Sequence, residues 1–220
     1  RERDGAFVQD VRGGRKRSRP LLHVWGRVVT GDTLDVFVCH FPSRSGGQLE
    51  SESFRMDAAR HLRRACDSLY RLRQHPHLIA MGDLNDTPTN RSLLEGLKAQ
   101  PYTPKLTSPM TDTLTLYNLF ATRRTGQPEG SHKYQGAWSQ LDHCLVDGSV
   151  LQANATFRLR PEGVRIFDAD FLWTTDKTYA GRRPKRTFYG FTYEGGFSDH
   201  LPLIVDFYLH LPAEKEKDNE

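Results

Sequence analysis

Apolar positions recur along the chain with two different periods, which together predict one long helix set between strands. Residues 21–30 and 34–39 are rich in Val and Leu and predict two strands joined by a two-residue turn at Gly31 and Asp32. Leucines at helical spacing up to residue 72 predict a helix, with arginines on its solvent face and Ser51 or Ser53 as its N-cap. The apolar run 78–81 then predicts a buried strand.

The order strand, helix, strand has a topological consequence. Such crossovers are right-handed and place the two strands side by side and parallel, so the polar loops that follow residues 39 and 81 meet at one sheet edge. A short helix is expected at 91–97, and surface loops at 100–115, 123–136 and 173–196. Further strands are expected at 141–146, 153–159, 164–167 and 203–209, and the stretch 116–121 is short and apolar. The pattern indicates an α/β fold in a single domain over residues 1–220, with 1–18 and 211–220 flexible.

Composition narrows the class of protein only slightly. The 220 residues carry a formal charge of +4, which is compatible with a polyanionic partner, and the basic run 12–19 predicts a solvated loop or a phosphate contact. No apolar run reaches the roughly 18 residues of a membrane span. The chain lacks an initial Met and a secretory signal, so we expect a mature or trimmed product. The sequence does not indicate its cellular compartment. Its 3 cysteines predict buried free thiols.

Polar side chains gather where predicted strands end or begin. They are His40, Asp83, Asn85, Asp142, Asp199 and His200. Taken singly, each also suits a structural role, such as an Asx-turn leaving a strand or a satisfied strand-end histidine. Taken together, two histidines, three carboxylates and an amide at one edge of an α/β sheet suit the metal-assisted attack of water on a phosphate ester.

Four segments carry a resemblance to a known family. They are His-Phe-Pro-Ser-Arg-Ser-Gly-Gly at 40–47, Met-Gly-Asp-Leu-Asn-Asp-Thr-Pro at 81–88, Leu-Asp-His-Cys-Leu-Val at 141–146 and Gly-Phe-Ser-Asp-His-Leu-Pro-Leu at 196–203. In this order they resemble the endonuclease/exonuclease/phosphatase superfamily, and 36–47 looks most like its uncharacterised bacterial members. The resemblance implies a four-layer α/β/β/α sandwich of two mixed sheets.

The resemblance also implies catalytic and metal-binding roles. Asp83 resembles the aspartate that orients or deprotonates the attacking water, and Asn85 resembles the amide that holds the phosphate. Asp199 is expected beside a divalent ion, Mg²⁺ or Mn²⁺, which Asp83 and Asn85 also approach.

The two histidines and the remaining aspartate receive roles in the same way. His200 resembles the histidine that binds or protonates a phosphoryl oxygen, and Asp142 resembles its charged hydrogen-bond partner. His40 resembles the strand-end histidine that contacts the phosphate from the other side.

One part of the family pattern is missing. The family begins with an Asn-containing strand and a metal-binding glutamate, often as Gln-Glu, and neither precedes His40 here; Glu2 is a poor substitute. We therefore expect this chain to be the C-terminal two-thirds of the domain, without its principal glutamate ligand. Exposed strand edges and core would then favour association.

The function expected from these features is metal-dependent cleavage of a phosphodiester in nucleic acid. A basic, aromatic loop predicts polyanion binding by its cations and stacking by two tyrosines. These residues are Lys177, Arg182, Arg183, Lys185, Arg186, Tyr179 and Tyr189. The alternatives are a phospholipid- or inositol-phosphate-type hydrolase, although the inositol phosphatases' Trp-Cys-Asp-Arg element is absent, and a non-catalytic binding module on a degenerate domain.

Overall fold

A six-stranded mixed sheet forms the centre of the structure, with strand order β3-β4-β5-β10-β7-β6. The computed structural model describes residues 7–9, 15–17, 19–73, 76–104 and 112–210. The central strands are β3 Leu22–Arg27, β4 Thr33–His40, β5 Pro76–Asp83, β6 Gln100–Pro101, β7 Leu116–Asn118 and β10 Asp142–Asp147. A separate antiparallel pair, β1 Phe7–Gln9 and β2 Arg15–Arg17, comes first in the chain.

The predicted strand–helix–strand unit is confirmed. The helix α1, Glu52–Leu72, connects β4 to β5, and these two strands pair in parallel. The register places His40 opposite Asp83, as the crossover predicts. On its other side β5 pairs with β10 in an antiparallel arrangement that places Asp142 opposite Asp83.

The two faces of this sheet are covered unequally. On one face α1 buries Leu62 and Cys66 completely, together with Leu78 of β5. On the other face Val146 packs against short strands from the C-terminal half of the chain. The part of this second face over β3 to β5 is open, and its exposed apolar residues are Leu22, Val24, Val38 and Met81. This part of the sheet therefore leaves apolar side chains exposed.

The remaining strands form two-stranded antiparallel pairs around the sheet. They are β8 His132–Tyr134 with β9 Ala137–Ser139, β11 Phe157–Leu159 with β18 Phe207–Leu209, β12 Arg165–Ile166 with β17 Leu203–Ile204, β13 Trp173–Thr175 with β14 Arg182–Pro184, and β15 Phe188–Tyr189 with β16 Thr192–Tyr193. Single helical turns lie at Ser92–Gly96, Gly148–Leu151, Pro161–Gly163 and Asp170–Leu172. The predicted α/β class is confirmed, and the layer beyond the central sheet consists of these pairs.

The predicted two-residue turn was wrong, and the predicted N-cap residue is confirmed in position. The β3–β4 hairpin has a longer loop than two residues, because Val28 N bonds Asp32 O at 3.0 Å and encloses three residues, with Gly31 at φ +89. Ser51 stands at the N-cap position of α1, but its hydroxyl makes no capping bond. It donates instead to the carbonyl oxygen of Gly47 at 2.5 Å.

Several predicted solvent-facing or irregular regions also differ. Arg55 of α1 is fully buried rather than solvent-facing. The expected loop 173–196 contains four short strands, and the basic run 12–19 includes β2. The expected flexibility of 1–18 and 211–220 lies almost wholly outside the described residues. All three cysteines are buried and free, as predicted. Among the described residues, no helix combines the length and apolar character that a membrane crossing needs.

Candidate active site

Three polar residues lie side by side in a row across the central sheet. His40 ends β4, Asp83 ends β5 and Asp142 begins β10, and the strand register aligns all three. Side chains of aligned residues on neighbouring strands lie on the same face of a sheet. The open end of the sheet therefore presents an imidazole and two carboxylates to one cleft.

The turn after β5 fixes the first carboxylate. Gly82 has φ +135, and a Cβ there would lie 2.0 Å from the carbonyl oxygen of Cys39, so only glycine lets β5 approach β4 this closely. Asn85 adopts the left-handed region at φ 54. Its backbone N–H donates to Asp83 Oδ1 at 2.8 Å, and its side-chain Nδ2 donates to Asp83 Oδ2 at 3.1 Å. Asn85 thus holds both oxygens of this carboxylate.

Asp142 is held between a serine and a histidine. His200 Nδ1 lies 2.6 Å from Asp142 Oδ2, and the Ser131 hydroxyl donates to the same oxygen at 2.5 Å. The backbone around them is also joined, since Leu201 N donates to Ser131 O at 2.7 Å. Ser131 is fully buried. With Nδ1 engaged by the carboxylate, His200 has Nε2 available for a substrate.

Electrostatics favour a charged Asp142–His200 pair. Burial alone would lower the pKa of His200, but the Asp142 hydrogen bond and the negative charges nearby outweigh it and raise the pKa above the ordinary value. Burial would likewise raise the pKa of Asp142, yet the bonds from His200 and Ser131 bring it below its usual range. Each partner therefore stabilises the charged form of the other.

His40 and Asp83 form a different kind of pair. His40 Nε2 lies 3.6 Å from Asp83 Oδ2, too far for a good hydrogen bond. Burial lowers the pKa of His40 and raises the pKa of Asp83, which the neighbouring Asp142 raises further. A neutral imidazole thus stands beside a carboxylate that is more basic than an ordinary aspartate.

Asp199 lies on the far side of His200. The family resemblance implies that it lies beside a metal with Asp83 and Asn85, and in the structure it groups with His132 and His200, whose potential ligand atoms and its own lie within 4.8 Å of one another. The His132 and His200 rings are 4.5 Å apart between centroids. Burial and the neighbouring His200 lower the pKa of His132 to about 4, so this ring is neutral near pH 7. His132 was not predicted as a site residue.

A buried network beneath the site was also missed. Asp86, one residue beyond Asn85, accepts from Ser92 Oγ at 2.6 Å and lies 2.7 Å from Arg55 Nε. The ring of His143 lies 2.9 Å from the carbonyl oxygen of Asp86. All four side chains are almost completely buried. A basic residue within an otherwise apolar helix face is the one sequence signal that could have pointed to Arg55.

The basic loop at 174–193 was predicted to bind a polyanion through its cations. In the structure some of these cations are engaged by other side chains. Arg183 is buried and paired with Glu194. Arg182 stacks over the ring of Trp173 with its guanidinium carbon 4.7 Å from the centroid. Lys133, expected in a surface loop, is buried with Asp176 at 2.9 Å.

The donor set fits a hard divalent cation. Asp83, Asp142 and His200 offer ligand atoms within 4.8 Å of one another. Two carboxylates facing each other repel, and a cation between them relieves that repulsion. Asn85 uses Nδ2 for its described side-chain bonds, so Oδ1 is the atom it could offer. Carboxylate and amide oxygens are the ligands that Mg²⁺ and Mn²⁺ prefer.

Comparison of the sequence with known families gives the class of this chain. The match to the Endonuclease/Exonuclease/phosphatase family covers residues 7–209. The chain belongs to this family, whose members are hydrolases of phosphate esters that generally use a divalent metal ion. No curated protein sequence matches the chain significantly.

Solved structures show the same fold at low identity. The catalytic domain of human Nocturnin, with bound sulfate, aligns with a TM-score of 0.52 and 16% identity over 94% of this chain and 58% of that one. A family protein from Bacteroides thetaiotaomicron aligns at 0.49 and 16%, covering 87% and 56%. Truncated Caenorhabditis elegans TDP2 aligns at 0.49 and 11%, covering 94% and 65%. The chain thus spans less than two thirds of each of these structures.

Proposed function

We propose that the protein is a divalent-metal-dependent phosphodiester hydrolase that acts on nucleic acid. The observation that carries this proposal is the 2.6 Å contact between His200 and Asp142 at a sheet edge shared with Asp83. A charged imidazole opposite a basic carboxylate is what hydrolysis of a phosphate ester requires. A binding module has no need of a histidine whose charge is maintained in this way.

In the proposed reaction Asp83 takes a proton from water. The water oxygen forms a bond to phosphorus while the bond to the leaving oxygen breaks. The raised pKa of Asp83 makes it a better base than an ordinary aspartate, and Asn85 keeps it oriented.

His200 acts on the opposite side of the phosphate. Its protonated ring, held through Nδ1 by Asp142, donates from Nε2 to a phosphoryl oxygen as negative charge develops there. His40, beside Asp83, contacts the phosphate as a neutral donor.

The family resemblance implies that Asp83, Asn85 and Asp199 would hold the metal ion, whereas the possible ligand atoms of Asp199 lie close to those of His132 and His200. A bound Mg²⁺ or Mn²⁺ supplies charge neutralisation and polarises the phosphoryl oxygens. The family resemblance adds a glutamate to this set, and no Gln-Glu element precedes His40 in this sequence. A single domain over 1–220 stays a prediction.

A second candidate substrate is supported by a separate observation. An open groove of about 700 Å³ runs beside Asp142 and His200, and apolar residues such as Val38, Met81 and Phe207 line it. An apolar groove beside a phosphate-binding edge also suits a phospholipid, so lipid phosphodiesters belong in the same test.

The test measures turnover by the full-length protein with Mg²⁺ or Mn²⁺. Substrates are plasmid DNA, RNA, sphingomyelin and a bis-aryl phosphodiester, each with and without a chelator. We expect metal-dependent cleavage of nucleic acid and of the aryl ester. Faster cleavage of sphingomyelin would favour the lipid candidate. Absence of turnover on all four would refute a hydrolase, and binding without turnover would support a degenerate module.

A further inference from the structure

Residues 185–197 form an antiparallel arm that leads directly away from the candidate active site. Phe197 N donates to Lys185 O at 2.8 Å, and Gly196 N donates to Arg186 O at 3.1 Å. The arm continues into the β15–β16 hairpin and turns at Gly190 and Phe191. Since a strand rises about 3.3 Å per residue, the tip lies up to about 20 Å from Phe197. Phe197 itself is only three residues from His200.

Aromatic rings are exposed at the base of this arm and in the hairpin at its end. At its base Phe197 is 65% exposed, and in the hairpin Phe188 and Tyr193 are directly opposite each other with ring centroids 5.4 Å apart. Phe191 at the tip is fully exposed, at 106%. Apolar rings left in water at several successive positions indicate a surface that meets a partner.

The charge of the arm is positive. Lys185 and Arg186 lie at its base before β15, and its acidic residue, Glu194, is already paired with Arg183. The guanidinium carbon of Arg186 lies 5.3 Å from the centroid of the Tyr189 ring. Two cations at the base of the arm and exposed rings beyond them match a partner that carries phosphates and flat π-faces.

We propose that this arm binds single-stranded nucleic acid, with bases stacked on Phe188, Phe191 and Tyr193 and phosphates beside Lys185 and Arg186. Phe197 lies at the base, three residues from His200, and the other rings lie in the hairpin at the far end, so a strand whose phosphate reaches His200 could extend to them. A duplex would leave no base faces to stack, and a lipid surface is the alternative that the vesicle measurement below tests. This inference rests on the proposed function, because it names the form of nucleic acid that the same site receives.

The experiment measures binding rather than cleavage. Fluorescence anisotropy of a labelled oligothymidine is followed in chelator-containing buffer at low salt, for the wild type and for the double variant Phe191→Ala/Tyr193→Ala. Because each stacked base contributes about tenfold in affinity, we expect Kd to rise about a hundredfold. Both residues are exposed, so folding is preserved and is checked by the thermal unfolding midpoint.

Matched variants separate stacking from general effects. Phe191→Tyr keeps a ring and is expected to bind as the wild type does. Trp25→Ala removes a ring that is 62% exposed on β3 and is expected to leave Kd unchanged. For duplex DNA of the same length, we expect the Kd of the double variant to differ from that of the wild type by less than threefold, since a duplex is bound through its phosphates.

The possible outcomes are distinct. An unchanged oligothymidine Kd in the double variant overturns the inference, and so does an equal loss on duplex DNA. If the double variant loses binding to anionic phosphatidylserine vesicles and retains binding to oligothymidine, the inference is overturned and the arm is a lipid-binding surface. Lack of bis-aryl phosphodiester turnover by the wild type contradicts the proposed function alone, because binding is measured without turnover.

Discussion

The two ends of β10 carry aspartates that look alike in sequence and differ in the structure. Asp142 begins the strand and Asp147 ends it, and each accepts a hydrogen bond from a serine hydroxyl, Ser131 at 2.5 Å and Ser149 at 2.6 Å. Asp142 also contacts His200, and its pKa is lowered. Asp147 is fully buried, and burial raises its pKa to about 7.

We propose that this difference separates a functional carboxylate, Asp142, from a structural one, Asp147. The described bonds of Asp147 come from neutral groups, namely the Ser149 hydroxyl and the backbone N–H groups of Leu78 and Ser149. These bonds anchor the turn that follows β10. None of them comes from a cation that would keep the Asp147 carboxyl group ionised. Asp142 faces an open cleft and has a cationic partner, so its charge is maintained and serves the site.

The largest expected effect comes from removing a side chain that we propose acts directly in catalysis, His200 or Asp83. His200→Ala and Asp83→Ala should each lower kcat for a bis-aryl phosphodiester by about 10²–10⁴-fold, the usual contribution of a general acid or base. The measurement is steady-state turnover with Mg²⁺, alongside His61→Ala as a histidine control on α1. Near-normal rates in both site variants would show that the assigned roles are wrong.

At Asp147, which ends β10, the expected effect of a substitution is on the stability of the protein and on the pH dependence of that stability. Because the pKa of folded Asp147 lies above the unfolded value of 3.8, the folded state holds the extra proton. The contribution of Asp147 to stability is fully present below about pH 4 and is lost as pH rises towards about 7, by an amount on the order of a few kcal/mol.

Urea unfolding at several pH values measures this contribution. The free energy of unfolding of Asp147→Asn, subtracted from that of the wild type, should fall between pH 4 and pH 7 if Asp147 is the titrating group. The variant should retain kcat. A difference that does not change with pH would contradict the raised pKa.

The smallest effect is expected from the two serines. Ser131→Ala removes one hydrogen bond to Asp142, about 1 kcal/mol, and should lower kcat roughly three- to tenfold while narrowing the pH range of activity. Ser149→Ala removes the matching bond at the other end and should affect only stability. Ser131→Thr, which retains the hydroxyl, should restore the pH profile. Equal effects of both alanine variants on kcat would remove the distinction between the two ends.

Part of this comparison could be predicted from sequence. The apolar run before Gly82, the helix before it and the polar residues at strand ends follow from periodicity and turn chemistry, which act locally. The parallel crossover then brings His40 and Asp83 together. The resemblance supplied the pairing of Asp142 with His200, which are 58 positions apart.

The rest depended on contacts between distant segments that no local pattern encodes. Ser131 and His132 lie in a stretch whose composition predicts a loop, and they join the site only because β8 packs beside His200. Arg183 looks like a free cation until Glu194 pairs with it. The sequence shows that a residue is an arginine, but not whether its charge is buried or exposed. Whether it is buried depends on a partner that only the tertiary structure brings near it.

The central claim is that Asp142 maintains the charge of His200, and an NMR titration tests it most directly. The His200 ring resonances are followed from pH 4 to pH 9 in metal-free buffer, roughly spanning the ordinary histidine pKa, for the wild type, Asp142→Asn and Asp147→Asn. We predict a midpoint above 6.5 in the wild type and in Asp147→Asn, and a lower midpoint in Asp142→Asn, where burial acts with less opposition. The same midpoint in all three proteins would contradict the account.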